Sequence, residues 1–339
     1  MNIMRIITCA SYYGTGSSAV MDMLAEFETD VQSLGEYEYR LIQDPDGISD
    51  LEYNIVENNH RHNSSYAIKR FKKFISSLTG FGYAEGYKIF GNALTDLTNE
   101  YINGITELEV FNWWHRDRLD KGRLYSYVDR IYSLMHRLSD LKSEKRYSML
   151  KNREKAYYTD ISEHEFLIRT RRYLDQLFAV ANKKNKPFMM VDQLVPPTNI
   201  GRYTRYFNDI RVIVVDRDPR DLYLLEKYVW GWGIIPTDSV EDFVKWFKIT
   251  RNPRYQVTDD QNVLRVRFED MVYKYDETRE RIIEFVGIPI ESKANKKTLF
   301  NPEVSVKNTN LSVRYPEEET NIKYIEKELN DYLYEYYNL

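Results

Sequence analysis

The N-terminal region combines a short apolar strand, a turn of small residues and a helix. Ile6 and Ile7 indicate a buried strand, residues 14–18 (Gly-Thr-Gly-Ser-Ser) indicate a turn, and Val20, Met23, Leu24 and Phe27 then recur at helical spacing. The free N–H groups of such a turn and the positive end of the helix dipole point at the same place. The segment therefore predicts an anion site, with phosphate as its natural occupant.

This turn differs from the ATP- and GTP-binding loop G-x-x-x-x-G-K-[ST]. Ser17 stands where that motif has its lysine, and Ser11 replaces its first glycine. The two absences argue against an ordinary nucleotide hydrolase.

The overall charge of the chain is slightly negative, so a few neighbouring residues must form any anion site. The 339 residues carry a formal net charge of only -4, so no overall basic field favours nucleic acid as a partner. The single cysteine, Cys9, excludes an intrachain disulfide and is expected to be a buried small residue on the first strand. We find no apolar run of the roughly 18 residues that a membrane span needs and no signal-peptide pattern, and we expect a cytoplasmic protein.

Further strand patterns alternate with helical ones. Strands are predicted at 31–34, 186–192, 211–216 and 263–268, and helices at 276–286, with Asp276 as N-cap and Gly287 as C-cap, and from 317 to the end. This alternation predicts an α/β fold, a parallel central sheet with helices on both faces. Residues 50–165 lack strong strands, and we expect one domain over 1–339 with 50–165 as an α-helical insertion.

A second candidate anion site follows the strand at 211–216. Arg217 comes directly after it, and Pro219 marks the start of a helix. Ligands of open parallel sheets bind at the carboxyl ends of the strands, where Arg217 and the turn at 14–18 would both lie. A ligand with two phosphate-like groups would bridge them. The alternative is a surface ion pair of Arg217 with Asp218 or Asp221.

Three segments together resemble the sulfotransferases that use 3′-phosphoadenosine 5′-phosphosulfate (PAPS). Gly14, Thr15, Gly16, Ser17 and Ser18 resemble the 5′-phosphosulfate loop of that family. Residues 212–221 resemble its 3′-phosphate strand and loop, and residues 266–271 with the helix ending at 287 resemble its late strand and helix. The resemblance covers roughly residues 1–45 and 185–290. It implies a P-loop NTPase-like sulfotransferase fold, PAPS as donor, and Arg217 as a 3′-phosphate ligand.

The chain departs from the family at two positions. The family has a lysine or arginine two residues before the first loop glycine, where this chain has Tyr12. Candidates for the missing cation are Lys69, Arg40 and Arg70. A serine that binds the 3′-phosphate in the family would fall on Leu225.

Two lysines are further candidates for nucleotide binding. Lys227 is near enough along the helix to substitute for the missing serine at Leu225. Lys307 lies in a loop that corresponds to the basic loop closing over the nucleotide in the family. Its alternative is a solvated loop.

The resemblance also places the catalytic base just after the second strand. Glu36 and Glu38 stand there, and in an extended segment their alternation puts both carboxylates on one side. Two carboxylates that share a site push their pKa values apart, which suits one of them to take a proton. The alternative is a solvated strand edge, and the sequence leaves the choice between the two glutamates open.

Acceptor contacts are predicted at four side chains. Asp192 and Gln193 end the third strand at the ligand edge, or else cap the turn before Pro196. Trp114, among aromatic and arginine side chains of the insertion, suits stacking on a sugar or other flat ring, or else is core packing. Lys69, also in the insertion, is assigned to substrate binding. The resemblance favours a carbohydrate acceptor, and sterols, other lipids and small alcohols remain alternatives.

We predict no metal cofactor. His60 and His62 lie in a polar segment, and no H-E-x-x-H or Cys/His pattern occurs. Two other function classes stay open: a P-loop kinase or hydrolase with an altered loop, and a non-catalytic nucleotide- or glycan-binding protein.

Overall fold

The computed structural model describes residues 4–79, 85–139, 147–255, 261–294 and 296–336, and within them it describes no side chain at positions 36, 85–87 and 255. The chain divides into two compact units. Unit 1 comprises Met1–Asp44 and Leu174–Leu339, and unit 2 comprises Pro45–Tyr173.

The described residues contain strands β1–β7 and helices α1–α15, together with short π- and 3₁₀-helical turns. The strands are β1 Arg5–Ser11, β2 Val31–Glu38, β3 Leu108–Phe111, β4 Lys155–Tyr158, β5 Phe188–Asp192, β6 Ile210–Asp216 and β7 Val263–Arg267. The helices are α1 Ser17–Ala25, α2 Ile48–Glu52, α3 Asn63–Thr79, α4 Glu85–Phe90, α5 Ala93–Ile105, α6 His115–Asp120, α7 Gly122–Ser139, α8 Glu163–Ala181, α9 Ile200–Thr204, α10 Pro219–Leu225, α11 Val240–Thr250, α12 Phe268–Tyr273, α13 Tyr275–Val286, α14 Pro302–Ser305 and α15 Glu319–Glu328. The π-helical turns are Tyr53–Glu57 and Glu226–Trp230, and the 3₁₀ turns are Pro253–Tyr255, Val306–Asn308, Leu311–Arg314, Pro316–Glu318 and Asn330–Tyr332.

Unit 1 is built on a five-stranded sheet in the order β2-β5-β1-β6-β7, as far as the described residues go. Every pair of neighbours in it is parallel. The predicted parallel sheet flanked by helices is therefore confirmed. Strands β2 and β5 lie on one side of β1, and strands β6 and β7 lie on its other side. The direction in which the chain adds strands to the sheet therefore reverses between β1 and β6. In open α/β sheets, ligands bind outside the carboxyl ends of the strands at such a reversal.

Side chains from both faces of the central strands are buried. Ile7 and Cys9 on β1 pack with residues of α1, α12 and α13 in one cluster. Ile6 and Thr8 alternate with them and are equally buried, so the sheet is covered on both faces. This accounts for the continuous apolar runs by which the strands were predicted.

Unit 2 is mainly helical, with a small antiparallel pair of strands. β3 and β4 form that pair, an element that the sequence patterns did not predict. Phe71 of α3 and Phe166 of α8 both pack near the ring of Tyr101 on α5, which also stacks on Tyr173 at 4.8 Å. Within the described residues no helix is long and apolar enough to cross a membrane.

The boundaries of β2 and α13 differ from those predicted. The strand predicted at 31–34 continues to Glu38, and its register shifts between Ser33 and Glu38 against β5. Helix α13 begins at Tyr275 with Lys274 in the N-cap position, so Asp276 lies in its first turn, whereas Gly287 is the C-cap as predicted, with φ 81°.

The predicted C-terminal helix ends early. α15 stops at Glu328, and a 3₁₀ turn at Asn330–Tyr332 follows. Leu333 then has an extended backbone, and the backbone N–H of Tyr334 donates to Asp218 at 2.7 Å. Leu333 accordingly does not continue the apolar face formed by Ile322, Ile325 and Leu329.

Candidate functional site

One threonine anchors the loop after β1 to the neighbouring strand β6. Thr15 donates its hydroxyl to the carbonyl of Val215 on β6 at 2.6 Å and accepts from the backbone N–H of Tyr12. Both bonds lie beneath the loop, since Thr15 is fully buried. The threonine thus fixes the loop to the neighbouring strand with side-chain bonds and leaves the loop amides outside this network.

The backbone N–H groups of residues 13–18 donate to no protein acceptor in the described part of the chain. Gly16 is the N-cap of α1 and makes no side-chain cap bond, so the positive end of a nine-residue helix adjoins the same amides. Backbone N–H groups of folded proteins find acceptors in the protein, in water or in a ligand. A row of free amides at a helix N-terminus is an anion-binding arrangement.

Two loop positions require glycine. Gly14 has φ 64° and Gly16 has φ 99°, and a Cβ at either position would collide with an aromatic ring, that of Trp230 or of Phe268. Trp230 stacks on Trp232 at 5.5 Å, and the ring of Trp232 is 67% exposed. The sequence analysis did not select either tryptophan, because nothing in the local pattern places residue 230 next to residue 14.

Arg217 lies against this loop. Its Nη1 donates to the carbonyl of Gly14 at 3.2 Å, and its Nη2 donates to the carbonyl of Asn308 at 2.5 Å. The guanidinium stacks 4.1 Å from the Phe268 ring, and its Nε has no hydrogen-bond partner among the described residues. Arg217 is only 3% exposed, and burial lowers its pKa. The alternative of a surface ion pair is therefore wrong for this side chain.

The three segments that resemble the sulfotransferases meet at this point. Phe268, which follows β7, contacts Gly16 of the first segment and Arg217 of the second. Glu269 accepts from the backbone N–H of Asp218 at 2.7 Å, and burial raises its pKa to about 7. Segments that are distant in sequence thus form one cluster at the reversal point of the sheet.

Asp192 and Gln193 also reach this edge. Gln193 adopts a left-handed backbone with φ 52°, and its Nε2 donates to Ser11 at 2.6 Å and to Ser17 at 3.1 Å. Asp192 accepts from the backbone N–H of Gln193 and lies 3.5 Å from the Ser17 hydroxyl. Burial, and then the negative charge of Glu38, raise the pKa of Asp192 to about 7. A carboxyl group with a pKa near neutrality suits proton transfer.

Of the two predicted bases, the structure describes only one side chain. Glu38 ends β2 in register with Asp192, so two carboxylates sit side by side at the ends of adjacent strands. Its carboxylate is half-exposed and lies 3.8 Å from Arg40, which also approaches Asp44 at 3.7 Å. Glu36 belongs to β2 by its backbone, and its side chain lies outside the described residues.

Tyr12, which stands where the family has a cation, is buried against one. The guanidinium of Arg251 lies 4.1 Å from the Tyr12 ring and is ion-paired with Asp216 at 2.8 Å. Desolvation by burial, and then the charge of Asp216, raise the pKa of the Tyr12 hydroxyl. Arg251 was missed by the sequence analysis because it is the C-cap of α11 and lies outside every motif segment, 30 residues beyond the end of the segment 212–221.

The two lysines predicted to contact nucleotide both belong to unit 1. Lys227 is paired with Glu318 at 2.7 Å and with the Tyr223 hydroxyl at 3.1 Å. Lys307 is exposed, and its carbonyl accepts from Arg314. Its neighbour Asn308 is the residue whose carbonyl holds Arg217.

Unit 2 contains a separate groove with a volume of about 880 Å³. Trp114 lies on it, 45% exposed, with His62 stacked on its ring at 3.9 Å and the guanidinium of Arg61 at 5.8 Å. Desolvation, followed by the charges of Arg61 and His60, lowers the pKa of His62. The other lining residues include Asn63, Tyr66, Arg70, Asn112, Trp113 and Arg116.

Three arginines and two aspartates line this groove. Arg70 is paired with Asp46 at 2.7 Å and Arg116 with Asp120 at 3.2 Å, whereas Arg61 has no ion pair with a described carboxylate. The predicted substrate residue Lys69 is paired with Asp117 at 2.6 Å, and Asp117 in turn accepts from the backbone N–H of Trp114. Lys69 therefore supports the loop that carries the tryptophan. No group of three or more His, Cys, Asp or Glu side chains in the described ranges could hold a metal ion.

Comparisons with known proteins give distant structural likenesses. No family model matches the chain, and no curated protein matches it. Among solved structures, the chain is similar to a sulfotransferase domain from the curacin biosynthetic pathway, at 12% identity over 86% of this chain and 76% of that one, with a TM-score of 0.36. It is also similar to retinol dehydratase in complex with androsterone and the inactive cofactor PAP, at 13% identity over 100% of this chain and 84% of that one, with a TM-score of 0.36.

A third solved structure is sulfotransferase STF1 from Mycobacterium tuberculosis H37Rv, at 11% identity over 91% of this chain and 77% of that one, with a TM-score of 0.32. Sulfotransferases are thus among the solved structures to which this chain is similar.

Proposed function

We propose that this protein is a sulfotransferase that moves the sulfuryl group of PAPS to a hydroxyl of an acceptor. The observation that carries the proposal is the row of free backbone amides at residues 13–18, placed at the N-terminus of α1 and at the reversal point of the sheet. These amides would hold the 5′-phosphosulfate. The absence of a loop lysine fits a donor that is used without the metal-bound triphosphate of ordinary P-loop enzymes.

The other end of the donor would lie near Arg217. Its unpartnered Nε, and the Gly14 and Asn308 carbonyls that fix its guanidinium, support a preset cation beside the loop. Lys227 and Lys307 remain candidate contacts for the 3′-phosphate. The stacked Trp230 and Trp232 offer a flat apolar surface for the adenine ring.

The chemistry asks for alignment, a base and charge stabilisation at the leaving oxygen. The acceptor oxygen forms a bond to sulfur, the bond from sulfur to the bridging phosphate oxygen breaks, and the acceptor proton passes to a carboxylate. We assign that carboxylate to the Glu38–Asp192 pair, with Glu36 kept as a candidate from the sequence. Asp192 with a pKa near 7 can accept and release a proton at neutral pH.

Arg40 is our candidate for the missing cation. Of the three candidate cations from the sequence, Arg40 is the one that belongs to unit 1, which also carries the loop at residues 13–18. It lies two residues beyond Glu38 in the chain. Its ion pairs are long, at 3.7 and 3.8 Å, so its guanidinium can turn towards a developing negative charge at little cost. Lys69 and Arg70 both have short pairs within unit 2.

We assign the acceptor to the groove of unit 2 and propose that it is a carbohydrate. An exposed tryptophan face, the amide side chains Asn63 and Asn112, and arginines are the groups that recognise sugar rings and their hydroxyls. The 50–165 insertion of the sequence analysis, within a single domain, would then form the acceptor side.

The proposal is tested by ligand-induced shifts in melting temperature. Adenosine 3′,5′-bisphosphate at about 100 times its dissociation constant should stabilise the fold by roughly 2.7 kcal/mol. ATP with magnesium should stabilise it less. A larger shift with ATP and magnesium would assign the site to a kinase or hydrolase instead, and turnover with labelled PAPS and an acceptor panel would then identify no product.

A further inference from the structure

Helix α7 has its polar side turned inward. Asp129 is 1% exposed and ion-paired with Arg118 at 2.9 Å, and it also accepts from the backbone N–H of Met149 and from the Ser148 hydroxyl. It is the only buried residue among those described on the helix. A surface helix of a globular protein normally buries its apolar stripe, so this orientation is the reverse of the usual one.

The apolar stripe of α7 is exposed along the whole helix. At about 100° per residue its members fall within an arc of about 120° on the side away from Asp129. We call them the outer face of α7: Leu124 (79% exposed), Tyr127 (63%), Val128 (44%), Ile131 (58%), Leu134 (57%), Met135 (65%) and Leu138 (63%). Singly exposed apolar residues are ordinary, whereas a contiguous set of this size marks an interaction surface.

Three arginines border that face on one edge. Arg123, Arg130 and Arg137 recur every seventh residue, all are exposed, and none has an ion pair with a carboxylate of the described residues. The outer face itself has no acidic residue. An apolar stripe with a row of unpaired cations beside it is complementary to a surface that is apolar beneath a negatively charged layer.

We propose that the outer face of α7 binds the surface of an anionic lipid bilayer, with the helix lying parallel to the membrane plane. The apolar side chains would enter the boundary between headgroups and acyl chains, and the arginines would contact lipid phosphates and carboxylates. This function is independent of the proposed reaction.

A second copy of the chain is a poorer occupant. If two outer faces met antiparallel, the arginine rows would face each other, and if they met parallel, the arginines would face Val128 and Met135. Neither arrangement gives an arginine a carboxylate partner. A single helix also presents a convex ridge, which a fluid bilayer accommodates without a preformed groove.

The test is co-sedimentation of the full chain with vesicles. The protein should bind vesicles of equal parts phosphatidylserine and phosphatidylcholine, more strongly in low salt than in high salt, and bind pure phosphatidylcholine weakly. Changing Arg123, Arg130 and Arg137 together to Gln should weaken binding to the anionic vesicles by roughly 100-fold, since each cation near the surface contributes about a factor of 5. Binding to pure phosphatidylcholine should not change.

A second variant tests the apolar part. Leu124→Gln/Ile131→Gln/Leu138→Gln should abolish binding without lowering the melting temperature, since these side chains are already exposed. Its matched control is Ile249→Gln/Ile290→Gln/Val313→Gln, which alters three isolated side chains that are 70%, 93% and 74% exposed and should bind like wild type. Unchanged vesicle binding of the Leu124/Ile131/Leu138 variant would overturn the proposal. A lipid-free dimer, seen by sedimentation velocity and abolished in that same variant, would also overturn it, because a second copy of the chain would then cover the face.

Discussion

The strand ends of unit 1 and the groove of unit 2 present polar groups in opposite ways. In unit 1, Arg217, Asp192 and Thr15 are buried and fixed by backbone atoms, and the groups left free are backbone amides. In unit 2, Trp114 and Arg61 are side chains on an open groove. Main-chain donors in a fixed loop bind one anion geometry with little reorganisation, whereas open side chains adapt to varied ligands. This difference is the basis on which we propose a fixed donor site in unit 1 and an acceptor site of adjustable specificity in unit 2.

The largest expected effect comes from the carboxylates of unit 1. If they act as base, Glu38→Gln or Asp192→Asn should lower turnover by roughly 100- to 10,000-fold, because the amide keeps the size but accepts no proton. Affinity for adenosine 3′,5′-bisphosphate should stay unchanged. Glu36→Gln belongs in the same series, and Glu280→Gln, an exposed carboxylate on α13, is the control. Wild-type turnover in all three strand-end variants would show that the catalytic base does not lie at this edge of the sheet.

The raised pKa of Asp192 predicts a pH dependence of stability. Between the unfolded value of 3.8 and about 7, folded Asp192 keeps a proton that the unfolded chain has lost. Stability should therefore fall as the pH rises through this window, by up to about 4 kcal/mol from this group. Asp192→Asn should remove that share and become more stable than wild type above pH 7.

Urea unfolding of both proteins across this pH window measures the effect. Glu269, whose pKa is raised in the same direction, contributes equally to the two proteins, so only their difference matters. Parallel stability curves for wild type and Asp192→Asn would show that Asp192 titrates normally.

A smaller effect separates binding from structure at Arg217. Arg217→Ala should weaken the binding of adenosine 3′,5′-bisphosphate by about 1.5–3 kcal/mol, which is the contribution of a charge-assisted hydrogen bond. Adenosine 5′-phosphate, which lacks the 3′ group, should be little affected in the same titration. Equal losses for both nucleotides would mean that Arg217 serves only to join Gly14 to Asn308.

The smallest effect tests the division of labour between the units. Trp114→Ala should weaken acceptor binding by about 0.5–1.5 kcal/mol, because the contact with the ring is lost, and it should leave nucleotide binding unchanged. Trp232→Ala, a second exposed tryptophan but in unit 1, should do the reverse. Calorimetric titration of both ligands into both variants gives the comparison, and a loss of nucleotide binding in Trp114→Ala would contradict the assignment of the groove.

The sheet and the turn after β1 could be predicted because their signals are local. The apolar runs of β1 and β6, the glycines at 14 and 16 and the Asp218-Pro219 helix start each depend on a few neighbouring residues. The β3–β4 pair was missed because two four-residue strands joined across more than 40 residues have no local signal of their pairing.

The sequence by itself determined which residue types line the strand ends, since burial on both faces forces a parallel strand to be apolar until it stops. Only the tertiary structure decided what those residues do. It buried Arg217 against two carbonyls and turned the polar side of α7 inward around Asp129. It also buried Asp192 and put it beside Glu38, so that its pKa rises. The physical reason is that desolvation and Coulomb interactions depend on distance in space, and residues such as 38 and 192 become neighbours only when the sheet forms.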